Sequence, residues 1–166
     1  MTLPRDEIDR RLQIFMDLCQ KNGFKATPQR LEIFRQVAQT EEHPDADVIC
    51  ARVRKRMPTV SLDTVYRTLA FLEENGLIQK VSRVHSSARF DANTLKHHHF
   101  ICTECGGIWD FYSNDLDRFQ LPTEAAALGA VTSVQVELRG VCAACRAARN
   151  KLPGKKGRSP ENRGRQ

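Results

Sequence analysis

The sequence predicts an α+β chain, with a winged-helix DNA-binding domain first and a small α/β dimerisation domain second. Three observations predict it. Four helical segments with apolar stripes precede an alternating hairpin pattern within residues 1–91. Two Cys-x-x-Cys pairs, Cys102/Cys105 and Cys142/Cys145, stand with 36 residues between them. Three histidines, His97 to His99, directly precede the first pair.

The first helix carries Ile8, Leu12, Phe15 and Cys19 at helical spacing and ends near Asn22-Gly23. Thr27-Pro28 supplies an N-cap and a favoured first residue for the second, whose stripe is Leu31, Phe34 and Val37-Ala38. A third starts near Pro44-Asp45 with Val48, Ile49, Val53 and Met57, and Pro58 limits its extension. Ser61 caps a fourth, with Leu62, Val65, Leu69 and Leu72 inward, and Gly76 suits its end. Its other face shows Asp63, Thr64, Tyr66 and Arg67. Residues 77–84 alternate, a polar turn follows at His85 to Ser87, and Ala88 to Asp91 returns as a second strand. Helices followed by a hairpin describe a winged helix, whose last helix enters the major groove.

Beyond a hinge at 92–96, residues 97–150 read differently. Phe100-Ile101 and Ile108 to Phe111 predict strands about the Cys105-Gly106-Gly107 turn. Residues 115–128 predict a helix, 131–138 a strand, and 142–149 a closing segment. So small a sheet has open edges, which a second copy of the chain would cover.

Composition narrows the class. The chain has 166 residues, 40% of them hydrophobic, enough for one domain or two small cores. No apolar run reaches membrane-spanning length, and residues 1–11 are too polar for a signal peptide. Six cysteines, four of them paired at x-two spacing, fit a reducing cytoplasm better than a disulfide scaffold. The net charge of +6 is concentrated in residues 151–166, which hold six Lys/Arg and one Glu. That basic tail cannot bury a core and is expected to be disordered. It serves equally well as a solubilising tail or as a non-specific phosphate contact.

Four thiolates in two pairs make a tetrahedral structural zinc site, assigned to Cys102, Cys105, Cys142 and Cys145. That zinc does not need the histidines, which therefore suggest a second, different metal. Cys19 and Cys50 lie on apolar helix faces and read as core.

Several segments together resemble the ferric uptake regulator family. They are Lys25 to Arg30, Ser61 to Leu69, Asn75 to Ile78, Arg89-Phe90-Asp91, and His97 through Cys105-Gly106. The resemblance runs from about Arg11 to Arg146. It implies a homodimeric, metal-dependent transcription factor, generally a repressor, that binds double-stranded operator DNA. Iron- and zinc-uptake branches usually carry Glu where this chain has Asp91 and Asp110; Asp at both is similar to the peroxide-sensing branch.

The resemblance assigns a regulatory site to His43, Asp91, His97, His99 and Asp110. Three imidazoles and two carboxylates suit Fe(II) or Mn(II) better than thiolate-seeking ions. By resemblance, Fe(II)-catalysed peroxide chemistry oxidises His43 or His97 and releases the metal. A metal held by both halves is a switch, because it favours the closed arrangement by its differential affinity. Two closed subunits would then match a palindromic operator. His98 points away from His97 and His99 and is not expected to ligate there. A further family metal site is not expected, since Lys96 and Val134 stand at two of its positions.

For DNA, Arg67 can bond guanine and the Tyr66 ring can pack on a thymine methyl. Thr64 and Arg30 suit phosphate, and Lys25, by resemblance, the minor groove. Arg52 to Arg56 reads as a solvated helix face, and His85 as exposed or near phosphate. The competing readings are an iron- or zinc-uptake regulator, a haem-responsive relative, a metalloenzyme and a plain zinc ribbon. No separate nucleophile or substrate motif supports an enzyme.

Overall fold

The computed structural model describes residues 2–84, 87–132 and 134–151. His85 of the expected turn and all of the expected tail beyond residue 151 lie outside the described residues.

Four helices open the chain: α1 (Arg5–Lys21), α2 (Pro28–Ala38), α3 (Ala46–Arg54) and α4 (Leu62–Glu74). Their starts are capped as the sequence requires. Thr27, Asp45 and Ser61 side chains accept the N–H groups of Arg30, Val48 and Thr64, satisfying donors that have no partner inside the helix. Gly76 follows α4 at φ +68°, a conformation that costs glycine little.

These helices close on one core containing Phe15, Phe34, Ile33, Ile49, Val53, Val65, Leu69 and Leu72. Phe15 and Phe34 stack at 5.4 Å. Burying each such side chain is worth about 1.5–3 kcal/mol relative to leaving it in water. Cys19 and Cys50 are buried there, as their helix faces predict. Val48 is not part of that core: it stands 37% exposed, one position round α3 from Ile49. Met57 packs on the core from beyond the helix, which ends at Arg54.

The wing is the antiparallel pair β1 (Gln79–Val84) and β2 (Ser87–Asp91), with Gln79 opposite Asp91. It is fastened back to the helices: Phe90 N–H donates to the Pro44 carbonyl at 3.1 Å, and Arg89 pairs with Asp45.

The second half is built on β3 (His98–Cys102), central in the order β4-β3-β5, with β4 Ile108–Phe111 and β5 Glu137–Gly140. β4 runs antiparallel to β3 and sets His99 opposite Asp110; β5 runs parallel to it. Because side chains alternate, Ile101 and Ile108 share the His99/Asp110 face. There they pack with Val81 of the wing, so a small apolar cluster joins the two halves. Phe100, Trp109 and Leu138 occupy the opposite face, where Trp109 and Leu138 are exposed.

Two expected elements differ. The 115–128 helix is instead two single turns, α5 (Asn114–Asp117) and α6 (Thr123–Ala126). Pro122 lies between them, and its ring disfavours a helical Leu121. The 131–138 strand gives way to β5, which starts at Glu137 and runs on to Gly140, because its register on β3 pairs Glu137 with His99 and Gly140 with Cys102. The closing segment is a helix, α7 (Ala143–Lys151).

Candidate metal centres and nucleic-acid interface

Among the described residues, two clusters of metal-ligating side chains converge. The first is Cys102, Cys105, Cys142 and Cys145, whose sulfurs lie within 4.8 Å of one another. The end of β3 and the turn after it supply one pair, and the residue before α7 and the first turn of α7 the other. A tetrahedron with metal–sulfur bonds of about 2.3 Å has edges of about 3.8 Å. Cys105 Sγ and Cys142 Sγ stand 3.9 Å apart, which fits that edge and is far too long for a disulfide. All four cysteines are free.

Backbone N–H groups point at these sulfurs, from Cys142 to Cys102 Sγ at 3.3 Å and from Cys145 to Cys142 Sγ at 3.4 Å. Backbone N–H bonds from Cys105 and Cys142 draw the Cys102 thiol down to about 6. The neighbouring Cys142 sulfur pushes Cys145 up to about 12. Four thiolates this close repel; a shared divalent cation allows all of them to ionise.

The second cluster joins the halves. His43, Asp91, His99 and Asp110 each bring one donor atom into a group within 4.8 Å. His43 precedes α3, Asp91 ends β2, and His99 and Asp110 face each other across β3 and β4. His43 Nε2 is 2.8 Å from Asp110 Oδ1 and 4.0 Å from Asp91 Oδ2. His97 lies just before β3 and on its edge of the cluster, with Nε2 2.9 Å from Asp91 Oδ2 and 3.0 Å from His99 Nε2. Metal bonds of about 2.1 Å would set neighbouring donors about 3.0 Å apart and opposed ones about 4.2 Å. The observed separations span that range.

Burial sharpens the point. His43 Nε2, Asp91 Oδ2 and Asp110 Oδ1 are buried, yet none makes an aligned hydrogen bond despite these short distances. Buried polar atoms left so cost about 1–3 kcal/mol each. Donors that converge on one point, rather than on each other, are what a cation requires. His43 also has φ +49°, the one positive φ at a non-glycine among the described residues. Strain of this kind collects at functional positions.

The electrostatics agree. Burial works against the Asp91 charge, but His97, His99, the Asn93 N–H and His43 together hold its carboxyl well below the usual range. Burial likewise opposes the charge on Asp110, while His43 and Asn93 bring its carboxyl down. Burial opposes charging His97, yet Asp91, the Leu95 carbonyl and Asp110 raise it above its ordinary value. His97 Nδ1 donates to the Leu95 carbonyl at 2.6 Å, which leaves Nε2 to face the cluster.

Two participants escape sequence reasoning. Asn93 touches both carboxylates, and Tyr112 Oη accepts a bond from Asn93 Nδ2 at 2.9 Å. Only the Asp-x-Asn spacing hints at the first of these, through its Asx-turn. His98 points away from the cluster, toward Phe111 and Asp117. Lys96 Nζ lies 3.4 Å from the same Asp117 oxygen.

On α4, Tyr66 is 50% exposed. Arg67 is also exposed and closely paired with Asp63 one turn earlier. Lys25, Arg30, Thr64 and Arg67 line one groove between the α1–α2 loop and α4. Arg30 is steadied there by its guanidinium over the Phe71 ring at 4.2 Å and by a bond to the Lys25 carbonyl. Thr64 shares the Ser61 cap. Among the described residues no helix is long and apolar enough to cross a membrane.

Residues 21–139 match the ferric uptake regulator family. The peroxide-responsive repressor PerR of Staphylococcus epidermidis is 33% identical over 146 residues, covering 88% of this chain and 97% of that protein. The Campylobacter jejuni peroxide stress regulator superposes with a TM-score of 0.63 at 31% identity, over 78% of this chain and 98% of that one. The Helicobacter pylori ferric uptake regulator shares the fold, with a TM-score of 0.70 at 24% identity over 88% and 97% of the two chains. The chain is therefore a member of the ferric uptake regulator family.

Proposed function

We propose that this chain is a cytoplasmic, homodimeric repressor that binds palindromic operator DNA when loaded with Fe(II) or Mn(II), and releases it on exposure to peroxide. The observation that carries the reading is the second cluster, in which His43 and Asp91 of the winged-helix half meet His99 and Asp110 of the sheet half.

In this reading residues 1–91 bind DNA, 92–96 are the hinge, and 97–150 hold the metals and the dimer contact. Cys102, Cys105, Cys142 and Cys145 hold structural zinc. His43, Asp91, His97, His99 and Asp110 hold the regulatory ion, a mixed nitrogen and oxygen set suited to Fe(II) or Mn(II). Iron held there by these residues would supply the electron that activates peroxide for transfer of one oxygen to an imidazole, the other oxygen leaving as water. His43 and His97 are the residues proposed to take up that oxygen. An oxidised imidazole is a poorer donor, so the ion is lost and the halves are no longer tied. Tyr66 and Arg67 read base edges, Arg30 and Thr64 hold phosphate, and Lys25 reaches the minor groove.

Asp at both carboxylate positions supports the peroxide-responsive branch over the uptake regulators. So does the 33% identity to a peroxide-responsive repressor.

The test measures operator binding by the zinc-loaded protein with Fe(II) or Mn(II), before and after a small peroxide dose. Mass spectrometry of the His43 and His97 peptides accompanies it. Loss of binding by the iron form alone, with one oxygen gained on a histidine, supports the reading. An iron form that keeps its DNA and intact histidines makes the protein a metal-uptake regulator or another metal sensor.

A further inference from the structure

Each carboxylate of the His/Asp cluster has one oxygen engaged and one free, and a single residue makes the division. The backbone N–H of Asn93 donates to Asp91 Oδ1 at 2.7 Å. Its Nδ2 donates to Asp110 Oδ2 at 3.0 Å. The other two oxygens, Asp91 Oδ2 and Asp110 Oδ1, are buried and have no aligned hydrogen-bond partner. These are the two that face the imidazoles: Asp91 Oδ2 lies 2.9 Å from His97 Nε2, and Asp110 Oδ1 2.8 Å from His43 Nε2.

Asn93 is itself held in one pose. It is 7% exposed. Its Oδ1 accepts from the Leu95 N–H at 3.2 Å, and its second Nδ2 hydrogen reaches Tyr112 Oη. The amide cannot be turned round, because a carboxylate oxygen only accepts and the Leu95 N–H only donates. Every polar group on Asn93 other than its carbonyl is thereby spoken for.

We propose that Asn93 is the positioning residue of the regulatory site. By occupying one oxygen of each aspartate it makes both carboxylates present a single oxygen to the ion, in fixed directions. The proposal rests on the metal-site reading given above. The two Asn93 contacts are separable: the backbone donor to Asp91 survives any substitution other than proline, whereas the Nδ2 donor to Asp110 belongs to the side chain. Asn93→Asp keeps the size and the acceptor for Leu95 but deletes that donor. Asn93→Ala deletes it without adding charge.

The experiment titrates Mn(II) into the zinc-loaded full chain and follows free and bound ion by electron paramagnetic resonance. Wild type, Asn93→Asp, Asn93→Ala and Asp110→Asn are compared, with zinc content and the melting of the manganese-free protein as controls. Both Asn93 variants should bind Mn(II) about 10–100-fold more weakly. At saturation they should give a bound-ion spectrum different from wild type, since Asp110 is then free to offer both oxygens. Zinc content should be unchanged and melting should stay cooperative.

Wild-type affinity in both variants, or weakened affinity with the wild-type spectrum, overturns the role of Asn93 while Asp110→Asn still abolishes binding. If both variants lose zinc and cooperative melting, Asn93 is a structural residue and the proposal falls. If Asp110→Asn binds Mn(II) as wild type does, the metal-site reading itself fails.

Discussion

His43 Nε2 lies 2.8 Å from Asp110 Oδ1, joining the segment before α3 to the second strand of the sheet half. Both atoms are buried and neither has an aligned hydrogen-bond partner. In the proposed function a cation held at this contact would tie metal occupancy to domain arrangement.

His43→Ala should therefore separate regulation from folding. Mn(II) affinity should fall at least about tenfold and metal-dependent operator binding should be lost, while zinc content stays at the wild-type level. Titration with Mn(II), paired with a gel-shift assay, checks it. Unchanged Mn(II) affinity would exclude His43 as a ligand.

Zinc removal should act on the fold instead. Cys142→Ser takes one sulfur from the four and the N–H acceptor from Cys145. Structural zinc sites supply about 10–16 kcal/mol of apparent binding energy in small domains, so the sheet half should melt well below the wild type. Calorimetry with a chelator series measures this, and a variant with full zinc content and an unchanged melting temperature would contradict it.

The His/Asp cluster sets a pH dependence of definite sign. Asp91 is held below its ordinary 3.8, so its contribution is present above that pH and is lost as pH falls through its folded value. His97 is held above 6.5, so its contribution is complete below that pH and is lost as pH rises through its folded value. The metal-free protein should accordingly gain most from this pair between about pH 4 and pH 6.5. Metal binding needs neutral imidazoles, so Mn(II) affinity should decline over the same acidic range. Thermal melts with and without Mn(II) across pH 4–8 test both directions; parallel curves would refute the coupling.

The Val81, Ile101 and Ile108 cluster should hold the halves together independently of metal. Val81→Ala removes two methyl groups and should cost about 1.5–2.5 kcal/mol of apolar contact. It should also weaken the DNA affinity of the Mn(II) form without changing zinc content. Limited proteolysis within residues 92–96 would report a loosened connection, and wild-type resistance would argue against it.

On the DNA face, Arg30→Ala should weaken binding evenly across sequences and lower the salt slope by about one. Tyr66→Ala should relax discrimination at a thymine position, at a cost of about 1–3 kcal/mol for the preferred base. Binding to operator variants at several salt concentrations distinguishes the two. An identical profile for both variants would mean that Tyr66 reads no base.

Much of the architecture is legible locally. Thr27, Asp45 and Ser61 mark helix starts because capping involves atoms only three residues apart. The stripes of α1, α2 and α4 follow from 3.6-residue periodicity, and β3 and β4 from apolar, β-branched and aromatic residues flanking the Gly106-Gly107 turn. The weakly patterned 115–138 region misleads, because Pro122 and the register on β3 decide it rather than propensity. The candidate metal residues can be nominated from motif order, but nothing in their spacing tells which oxygen of Asp91 or Asp110 is free.

By itself, then, the sequence determined the capped starts of α2, α3 and α4, the paired cysteines and the residue types of a second metal site. Those features depend on neighbours along the chain. Only the tertiary structure decided that His43 meets Asp110, that Asn93 engages one oxygen of each aspartate, and that Val81 bridges the halves. These depend on strand register and on packing between distant segments, where ångström differences separate a metal-binding geometry from an ordinary buried ion pair.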